Sequence, residues 1–202
     1  MISKDFNISI DNMYKLNCST ESDINEHLPT LKKYASECDH VTEMGVRSVI
    51  STWGLLAGYP KRFIGYDVEW HDNIKSAIIH ANYNGIDMEF IQKDVHKVEI
   101  EETDLLFIDT EHTYDALSTE LRMHSSKVNK YIIMHDTTTF GYIGCYILGF
   151  VQDGDRLQGL IPGKGIWPAI EEFLEKNNNW KLREKFENNN GLTILERIGE
   201  IK

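Results

Sequence analysis

Short apolar runs that end in an acidic residue alternate along this chain with longer segments whose apolar positions recur at helical spacing. The runs are His40–Met44, Arg62–Asp67, Met88–Asp94, Asp104–Asp109 and Tyr131–Asp136. Strands alternating with helices make βαβ units, so the pattern predicts a parallel sheet with helices on both faces. In such a doubly wound sheet the carboxyl ends of the strands line one crevice, which brings the polar ends Glu43, Asp67, Asp94, Asp109 and Asp136 toward one another. An Asp that follows a strand is more often a helix cap or a solvated loop residue. The argument therefore rests on the series and not on any one acid.

The flanks read differently. Ser22 to Ala35 predicts a helix, with Ile24, Leu28, Leu31 and Tyr34 near helical spacing and Pro29 early enough to be tolerated, so residues 1–39 form a helical cap. Glu26 and His27 could reach a site at the sheet edge, although a lone histidine at such a place is more often a surface residue. After Asp136 the pattern loosens, and residues 137–165, with several glycines and the apolar run from Ile143 to Val151, are read as a lid or specificity insert. That run could equally form a homodimer surface, and Tyr142, Tyr146 and Phe150 are spaced for one helical face. Trp167–Lys176 predicts an amphipathic helix, and Trp180–Phe186 and Leu192–Glu196 predict an antiparallel hairpin around an Asn-rich turn ending in Gly191.

Composition bounds this picture. A chain of 202 residues, 41% hydrophobic, can bury one substantial core, so residues 1–202 are expected to form a single domain. The net charge of -11, with basic residues scattered, opposes binding to a nucleic-acid backbone. Cys18, Cys38 and Cys145 make neither a disulfide framework nor a zinc signature, which fits a reducing cytoplasm. The start is polar without an apolar signal core, and the run near Ile143 is too short to span a bilayer, so no membrane association is expected.

The chemistry concentrates at Val41–Thr52, VTEMGVRSVIST, which predicts a strand, a tight turn at Gly45, and a helix whose first turn carries Ser48, Ser51 and Thr52. A glycine there lets backbone approach a nucleotide-like ligand. Asp67, about twenty residues further on, is placed to accept both hydroxyls of a ribose. The turn lacks the G-x-G-x-x-G glycines of dinucleotide sites, and Glu43 would repel a diphosphate while suiting an ammonium or sulfonium group. The pattern points from NAD toward an aminoacyl nucleoside.

These residues resemble a class I S-adenosylmethionine-dependent methyltransferase, and are most similar to the small metal-assisted O-methyltransferases and cephalosporin-hydroxylase-like proteins. The resemblance runs from about residue 22 to 198. It implies a Rossmann-like, mostly parallel seven-stranded sheet closed by an antiparallel C-terminal hairpin. It also implies S-adenosylmethionine as cofactor, with Glu43 and Gly45 at its methionine part and Arg47, Ser51 and Thr52 nearby. Asp67 would lie at the ribose and Asp94, with Val95 beside it, near the adenine, and Val68 and Asp109 would also contact the cofactor. The chain departs from the resemblance at Val49 and Ile50, where relatives often carry glycine, and these side chains are expected to narrow the pocket.

The second block, Asp104-Leu-Leu-Phe-Ile-Asp109-Thr-Glu-His-Thr-Tyr, is similar to the family's I-D-G-x-H-x-Y, and Tyr131-Ile-Ile-Met-His-Asp136 to its next strand end. Asp109 and Asp136 are then the expected ligands of a hard divalent cation such as magnesium. A cation there could orient a substrate hydroxyl, with His112, Glu111 or His135 as the base. In the rival account Asp109 and Thr110 cap a helix beginning near Thr113, and the histidines merely hold loops. The expected activity is methyl transfer to a hydroxyl of a small molecule, a sugar or natural product. A metal-dependent hydrolase or hydroxylase-like enzyme on the same fold, or a non-catalytic scaffold with a degenerate pocket, remain as alternatives.

Overall fold

The computed structural model describes residues 9–150 and 156–199. Its strands are β1 (His40–Met44), β2 (Arg62–Asp67), β3 (Asp87–Gln92), β4 (Thr103–Ile108), β5 (Val128–His135), β6 (Ile143–Phe150), β7 (Arg156–Pro162), β8 (Trp180–Phe186) and β9 (Leu192–Arg197). The helices are α1 (Ile10–Ser19), α2 (Leu28–Ala35), α3 (Ile50–Leu56), α4 (Asp72–Tyr83), α5 (Tyr114–His124) and α6 (Trp167–Lys176). Seven strands form one sheet in the order β3-β2-β1-β4-β5-β9-β8. The first five pair in parallel, and β9 runs antiparallel to both β5 and β8. This is the doubly wound sheet with a C-terminal hairpin that the alternation of runs predicts.

Side chains alternate across the sheet, so each strand feeds two cores. In β4, Leu105 and Phe107 pack with α1–α4 on one face, while Leu106 and Ile108 pack with α5 and α6 on the other. All four are buried, as expected for a central parallel strand. The register aligns Met44 with Tyr66 and Ile108, and Ile108 with Met134. The residues that follow these positions, Gly45, Asp67, Asp109 and His135, therefore lie along one edge.

Several boundaries differ from the sequence expectation. β3 stops at Gln92, so Asp94 sits beyond the strand, its side chain capping the turn Val95–Lys97 by accepting from the His96 N–H at 3.0 Å. The expected helix over 22–35 is α2 preceded by one tight turn, Asn25–His27, and α1 is an additional helix capped by Ser9. His27, expected on the surface, is 1% exposed, because α2 packs across the sheet toward the β8–β9 turn. Within the expected lid, β6 and β7 pair as an antiparallel hairpin. Gly144 and Gly149, among β-branched and aromatic residues, favour strand over the helical face expected for Tyr142, Tyr146 and Phe150. Val151, the end of the apolar run, lies outside the described residues. Among the described residues no helix is long and apolar enough to cross a membrane.

The β8–β9 turn ties distant parts of the chain together. The Asn189 Oδ1 accepts from the Glu26 N–H at 3.0 Å and its Nδ2 donates to the Ser22 carbonyl at 2.8 Å. The Asn190 carbonyl accepts from the N–H groups of Thr138 (2.9 Å) and Thr139 (3.0 Å). The Asn188 carbonyl meets Nε2 of buried His27 at 2.9 Å.

Candidate functional site

The turn after β1 is fixed by contact as much as by conformation. Gly45 has φ 87°, and a Cβ added there would lie 1.9 Å from the Asp109 carbonyl oxygen, so only glycine fits. Its N–H donates to the Tyr66 carbonyl at 2.9 Å, while the Asp109 N–H donates to the Met44 carbonyl at 2.9 Å. Arg47 (φ 46°) and Val49 (φ 64°) are also left-handed, a costly conformation for a β-branched residue. Val49 is buried and Ile50 half-buried, both packed into the helical core and absent from the cleft wall, so they do not narrow the pocket as expected. Val49, left-handed at the N-cap, sets the start of α3 at Ile50.

Glu43 is 0% exposed, and its two oxygens accept from Ser51 Oγ at 2.5 Å and Thr52 Oγ1 at 2.6 Å. Burial pushes its carboxyl up to about 8, although the two hydroxyls pull the other way. Glu43, Ser51 and Thr52 thus form a closed triad beneath the turn. None of the three lines the cleft, in contrast to the place the resemblance implies for them.

The cleft has a volume of about 280 Å³. Its wall includes Gly45, Arg47, Asp67, Val68, Asp94, Val95, Asp109 and Glu111, which the sequence singled out. Asp67 is held in place by the N–H groups of Arg47 (2.8 Å) and Glu69 (3.0 Å). Asp94, besides capping its turn, pairs with Lys97 at 3.0 Å, and this partner holds its carboxyl below the usual range. The capping role weighed for Asp94 is therefore present together with its place in the wall.

At the other side of Asp109 lies a cluster of two acids and two histidines. His112 Nε2 is 2.8 Å from Asp136 Oδ2 and 3.3 Å from Asp109 Oδ1. His135 Nδ1 is 3.4 Å from Asp136 Oδ2 and 3.5 Å from Asp109 Oδ2. Asp136 follows β5 with φ 60°, which turns its side chain back toward β4. The His112 ring stacks on Phe140 at 4.7 Å, and His135 Nε2 meets the Asn189 carbonyl at 3.1 Å. Burial opposes charge on both imidazoles, but the two carboxylates outweigh it and push His112 up to about 9 and His135 to about 10. Burial likewise acts against the charge on Asp136, and the two histidines overcome it to hold its carboxyl well below the usual range.

Two buried atoms of this cluster, His135 Nδ1 and Asp136 Oδ1, lack a hydrogen-bond partner. Among the described residues, Asp109, His112 and Asp136 bring one ligand atom each within 4.8 Å of one another, the arrangement a cation would need. The helix that follows is capped by Thr113, whose Oγ1 accepts from the Ala116 N–H at 3.2 Å, and not by Asp109 or Thr110. Exposed Glu111 borders both the cleft and a second hollow of about 490 Å³ under the β6–β7 hairpin, lined also by His96, Ile161 and Lys164.

Five residues of the cleft wall are not assigned to the cofactor or to catalysis by the sequence: Tyr66, Lys93, His96, Glu120 and Thr110, the last weighed only as a helix cap. A signal for Glu120 was present in α5, where Leu117, Leu121 and His124 mark the buried face and Glu120 falls among them. A charged residue in such a stripe is rare unless partnered.

No family model matches the chain, and no curated protein matches it. Solved structures do. An O-methyltransferase from Bacillus cereus in complex with SAH is 15% identical, with a TM-score of 0.60 over 98% of this chain and 93% of that one. TomG from Streptomyces achromogenes, an O-methyltransferase involved in tomaymycin synthesis and bound to SAM, is 13% identical, with a TM-score of 0.57 over 98% and 93%. The SAH-bound methyltransferase PaMTH1 from Podospora anserina is 14% identical, with a TM-score of 0.56 over 94% and 88%. At such identities the likeness is one of fold: this chain has the Rossmann-like fold of class I methyltransferases.

Proposed function

We propose that this protein transfers a methyl group from S-adenosylmethionine to a hydroxyl of a small molecule, a sugar or natural product, assisted by a divalent cation. The observation that carries the proposal is the position of Asp109, which belongs at once to the cleft wall and to the acid–histidine cluster. A nucleoside bound in the cleft would present its reactive end to a group able to hold a cation. The solved structures of similar fold that carry SAM or SAH add support from proteins other than this one.

The residues present fit a cation. Two carboxylates and an imidazole converge, and the unpartnered Asp136 Oδ1 supplies a further donor. The imidazole widens the choice beyond magnesium to ions that accept nitrogen, such as zinc. When bound, the ion would lower the pKa of the acceptor hydroxyl and fix its position. In this proposal the chain does the rest: Gly45 lets the backbone approach the amino-acid part, Asp67 accepts from the ribose, and Glu111 takes the proton as oxygen attacks the methyl carbon opposite the departing sulfur. Glu111 is preferred over His112 and His135 because both imidazoles are engaged by the carboxylates, as proton holders or as a ligand.

A second reading is favoured by the cluster's composition. Two histidines and two aspartates could serve a metal-dependent hydrolase or hydroxylase-like enzyme without a methyl donor. The scaffold alternative, which draws on Val49 and Ile50, predicts that neither cofactor nor metal binds; neither residue lines the cleft.

Thermal-shift titration with S-adenosylhomocysteine, with and without manganese or magnesium, separates these readings. Ligand at a hundred times its Kd is expected to add about 2.7 kcal/mol, a rise of several degrees in Tm for a chain of this size. A shift with metal alone would favour the second reading. Folded protein that responds to neither ligand would overturn both.

A further inference from the structure

Glu120 is an unusual group to find in the wall of the cleft. It is 0% exposed, and Oε1 accepts from Thr110 Oγ1 at 2.5 Å, while Oε2 has no hydrogen-bond partner. His96 stands beside it with Nε2 at 3.7 Å from Oε1, and both share the cleft wall with Asp94 and Val95. A buried carboxyl with a vacant oxygen costs free energy that a complementary ligand would recover. The α5 stripe could have carried an apolar residue at this position.

We infer that Glu120 reads the base of the bound nucleoside: Oε1 accepts from the exocyclic amine of adenine on its remaining lone pair, and Oε2 donates to the adjacent ring nitrogen. This rests on the proposal that the cleft takes an S-adenosyl nucleoside, and it names the chemistry by which the base is chosen. A carboxylic acid, with one donor and one acceptor side by side, matches the neighbouring amine and ring nitrogen of adenine. The proton it needs is available. Burial pushes the carboxyl up to about 8; the Thr110 hydroxyl and His112 act downward, and Glu111 and Asp94 act upward. Thr110 has a positioning role, holding Oε1 so that Oε2 takes the ring nitrogen.

The test compares S-adenosylhomocysteine with its analogue lacking the 6-amino group, titrated by calorimetry into the full-length parent, Glu120→Leu and Glu120→Gln. The parent is expected to bind the amine-bearing ligand about five- to tenfold more tightly, the worth of one hydrogen bond in such a site. Glu120→Leu should bind both ligands more weakly and lose the preference. Glu120→Gln should keep it, since an amide presents the same donor and acceptor without a titrating proton. Equal affinities in the parent overturn the inference without recourse to any variant, as does a preference that survives in Glu120→Leu. A parent that binds neither ligand overturns the methyl-donor proposal as well, which distinguishes the two failures.

Discussion

Glu43 and Asp136 are both buried acids at the carboxyl edge of the same sheet, yet the chain treats them in opposite ways. Glu43 has each oxygen taken by a hydroxyl of its own neighbourhood, and burial keeps it protonated near neutrality. Asp136 is kept charged between two imidazoles and still has an oxygen without a partner. The first arrangement is complete and can only brace the turn. The second is incomplete, which is the condition under which a buried polar cluster accepts something from outside. The difference shows that an acid at a strand end need not be part of a site; the state of its lone pairs is the better guide.

The comparison breaks most severely at the residue that joins the two regions. Gly45→Ala drives a methyl into the Asp109 carbonyl and forces a left-handed conformation on a residue with a Cβ, and should cost about 3 kcal/mol or more. Chemical denaturation would register this as a large drop in midpoint, and a variant as stable as the parent would mean that the turn is not packed as described. Asp136→Ala should reduce affinity for manganese or zinc by about a hundredfold while leaving affinity for S-adenosylhomocysteine within about twofold. Calorimetric titration with each ligand checks both halves, and unchanged metal affinity would remove Asp136 from the ligand set.

The effect at Glu43 is the one that depends on pH. Its folded pKa, about 8, lies above the ordinary value of 4.5, so the folded state holds a proton that the unfolded chain releases. Stability from this group is full below pH 4.5 and declines as pH rises toward 8. Glu43→Gln, which keeps the shape without the charge, should therefore be stabilising at pH 8 by about 4 kcal/mol and nearly neutral at pH 4.5, read as a difference in Tm at the two values. A variant destabilised equally at both would show that the acid itself, and not its burial, supports Ser51 and Thr52.

Much of the fold was legible because period and punctuation agree. Buried parallel strands such as β4 read as continuous apolar runs, and the acids that follow them mark the edge where the chain turns. Asp67, Asp94 and Asp109 could be placed at the cleft from that rhythm alone. What escaped depends on contacts between segments far apart in sequence. The burial of His27 follows from the docking of α2 beneath the β8–β9 turn, and nothing in its local pattern announces this. The β6–β7 hairpin was missed because its run carries glycines and aromatics that suit several conformations. Glu43 was assigned to a ligand because sequence gives its position at the strand end but not the two hydroxyls that occupy it. Glu120 was overlooked for the converse reason, a charged letter within a helix being read by default as solvent-facing.

The asparagine turn between β8 and β9 has a consequence for the order in which the protein becomes competent. It supplies the carbonyl that fixes His135, a second carbonyl that accepts twice from the loop after Asp136, and the anchors for Ser22 and Glu26. The histidine–aspartate cluster is thus carried by the ends of β4 and β5 and fastened by a turn 54 residues further along the chain from His135. Since β1 to β5 precede residues 188–191 in the chain, His135 gains its carbonyl partner only once that turn has been made and has folded back. The turn is in this way a clasp, closing over a cluster whose own members lie far upstream of it.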